Sequence, residues 1–456
     1  MYLIYNLLYF AALLFMLPFE YFKRPAEIRG RWFRERFGFI DSSLPTPDSS
    51  LIWIHAVSVG EVITSVTLIK KLKVKYPSVR IVISTVTDTG QKIARERAGD
   101  LADIVYVPFD LPFILQNAFR HISPSLFIIM ETELWPNIIR ILSSHKVPIV
   151  LMNGRISERS FAGYRKLGFF MKGVLNNINS FCVQNELYAD RIKALGVAEE
   201  KVTVIGSFKF DTRPSAAVPE WTRTLKGPVV IAGSTHRPEE DLIVEAYLKL
   251  KPEFPDLNLV LAPRHPERFK EVEELVRKKG LECQKRSEVR IQNPPTVGAQ
   301  ASGSTEGTEG TVPDLRSEQG ELVESGLSPW HRSSGLVVLL DVIGELSSVY
   351  GACDVAIMGG TFIEHGGQNP LEPAYWSRAI VCGPHMENFP FIDDFYSGGG
   401  ALKTDAAGLH LTLKGLIEAP EKMSAMGKIA KGLYEKNSGA TDRALEIIER
   451  YLHLPS

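Results

Sequence analysis

Two glutamates fall where an apolar, strand-like run gives way to a helical pattern. Glu61 closes Ser58-Val59-Gly60-Glu61, directly after the run Leu51–Val57, and Glu131 opens Glu131-Thr132-Glu133-Leu134-Trp135-Pro136-Asn137, directly after Leu126–Met130. A carboxylate at a strand's carboxyl end, at the mouth of a cleft, is placed to take a proton from an attacking hydroxyl. The same residues also fit structural roles. Ser58 and Glu61 have the spacing of a capping box, Ser at the N-cap and Glu three residues on. Glu131 would favour a helix start by about 0.3–1 kcal/mol. Spacing alone leaves both readings open. If Glu61 is a base, its side chain is expected to face the cleft rather than close the box, because a carboxylate bonded in a cap is a weaker base.

Further along, Gly206-Ser207-Phe208-Lys209-Phe210-Asp211 sets a lysine between two aromatics, where it either lies on the surface or offsets the charge of an anionic ligand. The second half carries Pro263-Arg264-His265-Pro266-Glu267-Arg268 straight after a strand, with an arginine able to grip a phosphate in two bonds. Ile343-Gly344-Glu345 closes another strand and offers backbone N–H groups to a nucleotide. Gly359-Gly360 and Gly366-Gly367 precede Gln368-Asn369-Pro370-Leu371-Glu372. Two glycine pairs and a helix start are expected to form an anion site from unpaired N–H groups, with Glu372 taking bonds from ribose hydroxyls. No Asp-x-Asp pair or metal-ligand cluster occurs. A leaving phosphate would be stabilised by cations and helix starts, with no metal expected.

The elements that must hold these residues alternate. Leu51–Val57, Arg80–Thr85, Ile104–Val107, Leu126–Met130, Pro148–Met152, Phe181–Val183 and Val202–Ile205 read as short buried strands separated by amphipathic helices. The pattern restarts at Pro228–Ala232 and continues through Leu257–Ala262, Leu336–Leu340, Val355–Met358 and Ala379–Cys382. Such alternation predicts an α/β protein with two parallel, Rossmann-like domains, spanning 23–210 and 211–456. Residues 285–335 are rich in Ser, Gly, Glu and Thr and read as a disordered insertion.

The chain has 456 residues, 45% of them hydrophobic, and a formal net charge of −1, which argues against a nucleic-acid binder. Its four cysteines are scattered, without zinc spacing, and suit a reduced compartment. Met1–Phe19, MYLIYNLLYFAALLFMLPF, holds no charged residue and approaches the roughly 20 apolar residues needed to cross a bilayer. Lys23, Arg24, Arg29, Arg31, Arg34 and Arg36 follow it. This basic collar predicts a membrane anchor over residues 1–22, with the rest of the chain cytoplasmic and attracted to anionic lipid headgroups.

Taken together, His55–Glu61, Glu131–Asn137, Gly206–Asp211, Pro263–Phe269 and Gly366–Pro373 resemble the 3-deoxy-D-manno-octulosonic acid (Kdo) transferases of Gram-negative bacteria. The resemblance runs from the anchor to about Gly439, outside the insertion. It implies a GT-B fold, two Rossmann-like domains facing a central cleft. It also implies CMP-Kdo as donor, a lipid A precursor (lipid IVA) as acceptor, inversion at the anomeric carbon, no cofactor, and work at the cytoplasmic face of the inner membrane. Carried over by motif, the base falls on Glu61 and the transition-state stabilisers on Glu131 and Lys209. The CMP contacts fall on Pro263, Arg264, Ile343, Gly344, Glu345, Asn369, Pro370, Leu371 and Glu372. Gln368 departs from the family, which often has His there, and the insertion is longer than expected. The competing readings are another GT-B nucleotide-sugar transferase or an epimerase, which would not prefer CMP over UDP, and a non-catalytic lipid A binding protein, which would be expected to lose the strand-end carboxylates.

Overall fold

The computed structural model describes residues 1–40, 50–214, 217–288 and 335–452. They form two compact units, Met1–Thr212 with Lys436–Ser456, and Arg213–Glu435. The first contains β1 (Leu51–His55), β2 (Arg80–Thr85), β3 (Asp103–Tyr106), β4 (Leu126–Met130), β5 (Ile149–Gly154), β6 (Ser180–Val183) and β7 (Val202–Val204). All pair in parallel, in the order β3-β2-β1-β4-β5-β6-β7. Every residue of β1 and β4 is buried, because helices cover both faces of a parallel sheet, and this is why these strands read as unbroken apolar runs. Their alternate side chains feed two cores. Trp53, Phe127 and Ile129 join one, and Ile52, Ile54, Ile128 and Met130 the other.

The second unit repeats the design with β8 (Val229–Thr235), β9 (Asn258–Pro263), β10 (Cys283–Lys285), β11 (Val337–Leu339), β12 (Val355–Met358), β13 (Ala379–Cys382) and β14 (Ala401–Lys403). It too is parallel throughout, in the order β10-β11-β9-β8-β12-β13-β14. The expected α/β architecture with two Rossmann-like halves is therefore what forms. The strand order reverses between β1 and β4 in one unit and between β8 and β12 in the other. Such switch points leave a crevice beyond the carboxyl ends of the strands, where ligands bind in open α/β sheets.

Two boundaries differ from the sequence expectation. Residues 285–288, expected in the insertion, belong to the folded unit: Lys285 ends β10, and Arg286 grips the Glu345 carboxylate in two bonds of 2.9 Å. The remainder of the insertion, from 289 to 334, lies outside the described residues. The stretch from Lys436 onward, expected with the second domain, packs into the first. Ala440, Ala444, Ile447 and Ile448 of the helix Ala440–Glu449 join the core that holds Ile205 and Phe208. An apolar stripe on a helix shows that it has a buried face, without showing which core buries it. Here Asp211 decides. Its Oδ1 accepts from the Gly439 amide (2.6 Å), and its Oδ2 from the amide and hydroxyl of Thr441 (2.5 and 2.6 Å).

The apolar N-terminal stretch is a helix, Tyr2–Phe22, long and apolar enough to cross a membrane. One edge of it rests on the first unit. The Tyr5 hydroxyl donates to Asp110 Oδ2 (2.7 Å), Asn6 Oδ1 accepts from Asn137 Nδ2 (2.7 Å), and the Tyr2 and Tyr5 rings pack on Phe170. Leu3, Leu7, Leu8, Leu14, Phe15 and Phe19 point outward, each more than half exposed.

Replacing Asp211 by Ala would strand the Gly439 and Thr441 amides. The expected cost is about 1–3 kcal/mol, read as a lower melting temperature of the full-length protein. An unchanged melting temperature would show that the C-terminal helix is held by apolar contacts alone.

Candidate active site

In the first unit the loops after β1 and β4 flank the switch point, and they carry Glu61 and Glu131. The β1 loop enters the helix Val59–Lys75 with Ser58 as its N-cap. The Ser58 hydroxyl accepts from the Glu61 amide (3.3 Å) and donates to Glu61 Oε1 (2.8 Å), while Oε2 accepts from the Val57 amide (2.8 Å). The expectation that Glu61 would leave the box and face outward is therefore corrected: its carboxylate makes the reciprocal bonds of a cap, shifted by one residue to Val57. That does not remove it as a base. A carboxylate has about four lone-pair sites, and the cap uses one on each oxygen. Glu61 is 6% exposed. Burial pushes its pKa up to about 7 against the lowering by Val57 and Ser58, with a further rise from the charges of Glu131 and Glu133.

Glu131 holds a positive φ of 53°, a left-handed conformation that a residue with a Cβ adopts at a cost of order 1–3 kcal/mol. Its amide is fixed to the Met152 carbonyl (2.9 Å). Glu133, two residues on, is half-buried and accepts from Trp135 Nε1 (3.3 Å), and desolvation raises its pKa. Lys209 occupies the short 3₁₀ turn Phe208–Asp211. Desolvation lowers its pKa, opposed by the charge of Glu131 and assisted by that of Arg155. Glu61 and Lys209 are thus both influenced by the charge of Glu131. Asn153, also at positive φ (54°), holds the turn: its Oδ1 accepts from the Phe208 amide (3.1 Å). Glu133, Asn153 and Arg155 were not singled out from sequence. Glu133 alone had a signal, its place in the same acidic motif.

In the second unit Arg264, Asn369 and Glu372 come together. Pro263 ends β9, and the Arg264 amide is bonded to the Thr235 carbonyl (3.0 Å). Asn369 Oδ1 accepts from the Leu371 amide (3.2 Å), fixing Pro370 and the short helix Leu371–Tyr375. Desolvation pushes the Glu372 carboxyl up to about 7, opposed by Asn369 and by the Arg264 charge. Arg268, in the same motif as Arg264, instead makes a bidentate pair with buried Glu240 (2.7 and 3.0 Å) and has a structural task. Ile343 is 82% exposed, and Gly344, at φ 94°, has no atom within 4 Å of where a Cβ would sit. This corner is open to a ligand. The Glu345 carboxylate is not: Arg286 and Trp221 Nε1 (3.3 Å) hold it, so only its backbone is presented.

The glycine pairs do not form the expected anion nest. The amides of Gly360, Thr361 and Phe362 already donate to buried Glu239 (2.7, 3.0 and 3.0 Å), which also takes the His236 amide (2.9 Å). The Gly367 amide is bonded to the Gly360 carbonyl (2.8 Å). These glycines serve close packing. A Cβ on Gly359 would come within 2.2 Å of the Ser234 carbonyl oxygen, and one on Gly367 within 2.3 Å of Met386 Sδ. Sequence gave no sign of this, because Glu239 lies far from the loop it fills.

Comparison with known proteins agrees with the geometry. Residues 31–212 match the family model for 3-deoxy-D-manno-octulosonic-acid transferase (kdotransferase). A 3-deoxy-D-manno-octulosonic acid transferase of Haemophilus influenzae is 31% identical over 428 residues, covering 92% of this chain and 91% of its own. Among solved structures, UDP-GlcNAc 2-epimerase from Neisseria meningitidis aligns with a TM-score of 0.54 at 10% identity, over 88% of this chain and 100% of that one. A glycosyltransferase from Rickettsia africae aligns at 0.53 and 12% identity, over 90% and 100%. At these identities the structural likeness speaks for the GT-B fold alone. The similarity along nine-tenths of a curated relative speaks for more: this chain is a glycosyltransferase and belongs to the 3-deoxy-D-manno-octulosonic acid transferase family.

Proposed function

We propose that the protein transfers Kdo from CMP-Kdo to a lipid A precursor, lipid IVA, with inversion, and that Glu61 is the general base. The observation that carries this reading is the Glu61 carboxylate, buried at the end of β1 with its pKa raised to about 7. A base is most effective when its pKa lies near the working pH, and such assistance typically contributes 10²–10⁴-fold. In the proposed reaction Glu61 takes the proton from the acceptor hydroxyl as its oxygen attacks the anomeric carbon. The bond from that carbon to the CMP phosphate breaks, and CMP leaves with the electron pair.

Glu131 supplies negative charge against the positive character that develops on the sugar, and Lys209 supplies positive charge for the anionic donor. Nucleotide contacts are assigned to the second unit: Pro263, Arg264, the open corner at Ile343 and Gly344, the Glu345 backbone, and the Asn369–Glu372 segment. Glu372 accepts from ribose hydroxyls and Arg264 holds the phosphate. No metal or other cofactor enters this scheme.

The acceptor is an anionic glycolipid, and the reading places the enzyme at the cytoplasmic face of the inner membrane. The helix Tyr2–Phe22 is tied to the first unit near its start by Tyr5 and Asn6, and just beyond its end by Arg24, which donates to Asp88 (3.1 Å). A helix of about 1.5 Å per residue fastened at both ends lies along the protein. Its outward apolar face then enters the bilayer from the side, with the exposed Lys23 and Arg34 of the collar against anionic headgroups, while Arg24 and Arg36, expected in that collar, are buried.

Three outcomes test these assignments. Glu61→Gln keeps a side chain able to cap the helix and is expected to lower the turnover number about 10²–10⁴-fold with CMP binding retained; near-normal turnover would overturn the role. A carboxyl whose folded pKa exceeds its unfolded one stabilises most at low pH and loses that contribution as pH rises through the folded pKa. The Glu61→Gln protein should thus melt at or above the parent temperature at pH 8, with the difference shrinking toward pH 5, while parental kcat/KM rises with pH and levels above about 7. Finally, cysteines placed at Asn6 and Asn137 should cross-link on oxidation in native membranes, where the native cysteines are buried. A helix that crosses the bilayer would carry position 6 away from position 137 and leave them apart.

A further inference from the structure

Three histidines from three different segments meet at the carboxyl edge of the second sheet. His236 follows β8, His265 follows β9, and His365 lies in the loop after β12. The His236 and His365 ring centroids are 4.1 Å apart, and those of His236 and His265 5.4 Å. β8 and β12 are the neighbours between which the strand order reverses, so the trio stands at the crevice where this architecture binds ligands.

The backbone beneath them is built for the placement. Glu239 bonds the His236 amide and the Gly360 amide with the same oxygen, Oε2 (2.9 and 2.7 Å), which fastens the β8 loop to the β12 loop. Ser234, two residues before His236, holds a positive φ of 56°. Gly359 packs so tightly on Ser234 that no side chain fits. Gln368 Nε2 lies 3.2 Å from His236 Nε2.

Simple packing explains this poorly. His265 and His365 are exposed, and imidazoles bring polar nitrogens that an apolar stack would not need. The groups facing His236 are His365, His265, Glu240 and Arg268. Of these, Glu240 is already taken by the two Arg268 bonds and by the Thr235 hydroxyl (2.8 Å). Glu267 Oε1 lies 3.8 Å from His265 Nδ1, so what the cluster presents outward is imidazole with one exposed carboxylate at its rim, beside the exposed Arg264. Burial, and then the neighbouring His365 and His265, push the His236 pKa down to about 4. An anion among the rings would reverse that balance by favouring their charged forms.

We propose that His236, His265 and His365 bind an anionic oxygen group of the donor, its phosphate or its sugar carboxylate, and that the cluster takes up a proton when that group binds. This rests on the CMP-linked donor reading given above. It adds a recognition element that Gln368 touches directly.

Calorimetry on the full chain in detergent tests it, run at pH 7 in HEPES and in Tris, buffers of different ionisation heat. Cytidine, CMP and a CMP-linked sugar acid are the probes. If the phosphate is the ligand, CMP takes up a proton and cytidine does not; if the carboxylate is, only the sugar acid does. In either case His365→Gln, an exposed position, and separately His236→Gln should abolish the uptake. They should weaken the responding ligand about tenfold and leave cytidine affinity unchanged. Affinity of the responding ligand should also fall as pH rises, by at most about tenfold per unit for one linked proton. CMP and the sugar acid binding with no proton uptake, indifferent to both substitutions, would overturn the histidine site while leaving the nucleotide reading intact. Failure of CMP to bind at all would overturn both.

Discussion

A buried carboxylate that gathers backbone amides is the interaction on which this structure depends. Each parallel strand must hand its chain to a helix at the sheet's carboxyl edge, and the first amides of a helix or loop have no partner there. Glu239 meets the need fully: its two oxygens accept four amides, from His236, Gly360, Thr361 and Phe362. Asp110 does the same for Asn137 and Ile138, and Asp211 for Gly439 and Thr441. An unpaired buried amide costs about 1–3 kcal/mol, and a buried charge without donors costs more. Each problem cancels the other. Glu61 is the member of the set with the fewest amides, one, supplemented by a hydroxyl. Its oxygens keep lone-pair sites that those of Glu239 have given up to amides.

Much of the fold was legible because its physical cause is local. Strands buried on both faces must be apolar throughout, so β1, β4, β9 and β12 could be read directly. The edge strands β10 and β14 could not. They are three residues long, and Cys283-Gln284-Lys285 carries no apolar run. The strand-end rule singled out Glu61, Glu131 and Arg264 because it needs only a strand and the few residues after it. It failed where the decisive partner is distant in the chain. The Gly360–Phe362 amides looked free until Glu239 was in place, and the Glu345 carboxylate looked available until Arg286 was. The histidine trio was invisible for the same reason, since its members come from three separate loops.

The two units use one topology for different chemistry. At the reversal between β1 and β4 the first unit sets carboxylates, in an environment that favours holding a proton. At the reversal between β8 and β12 the second sets imidazoles beside Arg264. In both, a non-glycine residue sits in the left-handed region at the strand's end, Glu131 in one and Ser234 in the other. Strain of this kind persists only where neighbouring bonds over-determine the backbone. Here the Met152 carbonyl holds the Glu131 amide, and Gly359 closes over Ser234.

The return of the helix Ala440–Glu449 to the first unit also has a consequence in time. Asp211 stops short of its amide partners until Gly439 and Thr441 have been synthesised, and Phe208 stays uncovered on one side until Ala440 and Ala444 arrive. At about 5–20 residues per second, the whole second unit takes roughly 10–45 s to emerge in between. Throughout that interval the turn bearing Lys209 is held by Asn153 but lacks the clamp at Asp211. A nascent chain cut short before residue 439 would therefore carry this turn with its Phe208 amide anchored on Asn153 and its Asp211 carboxylate without these partners.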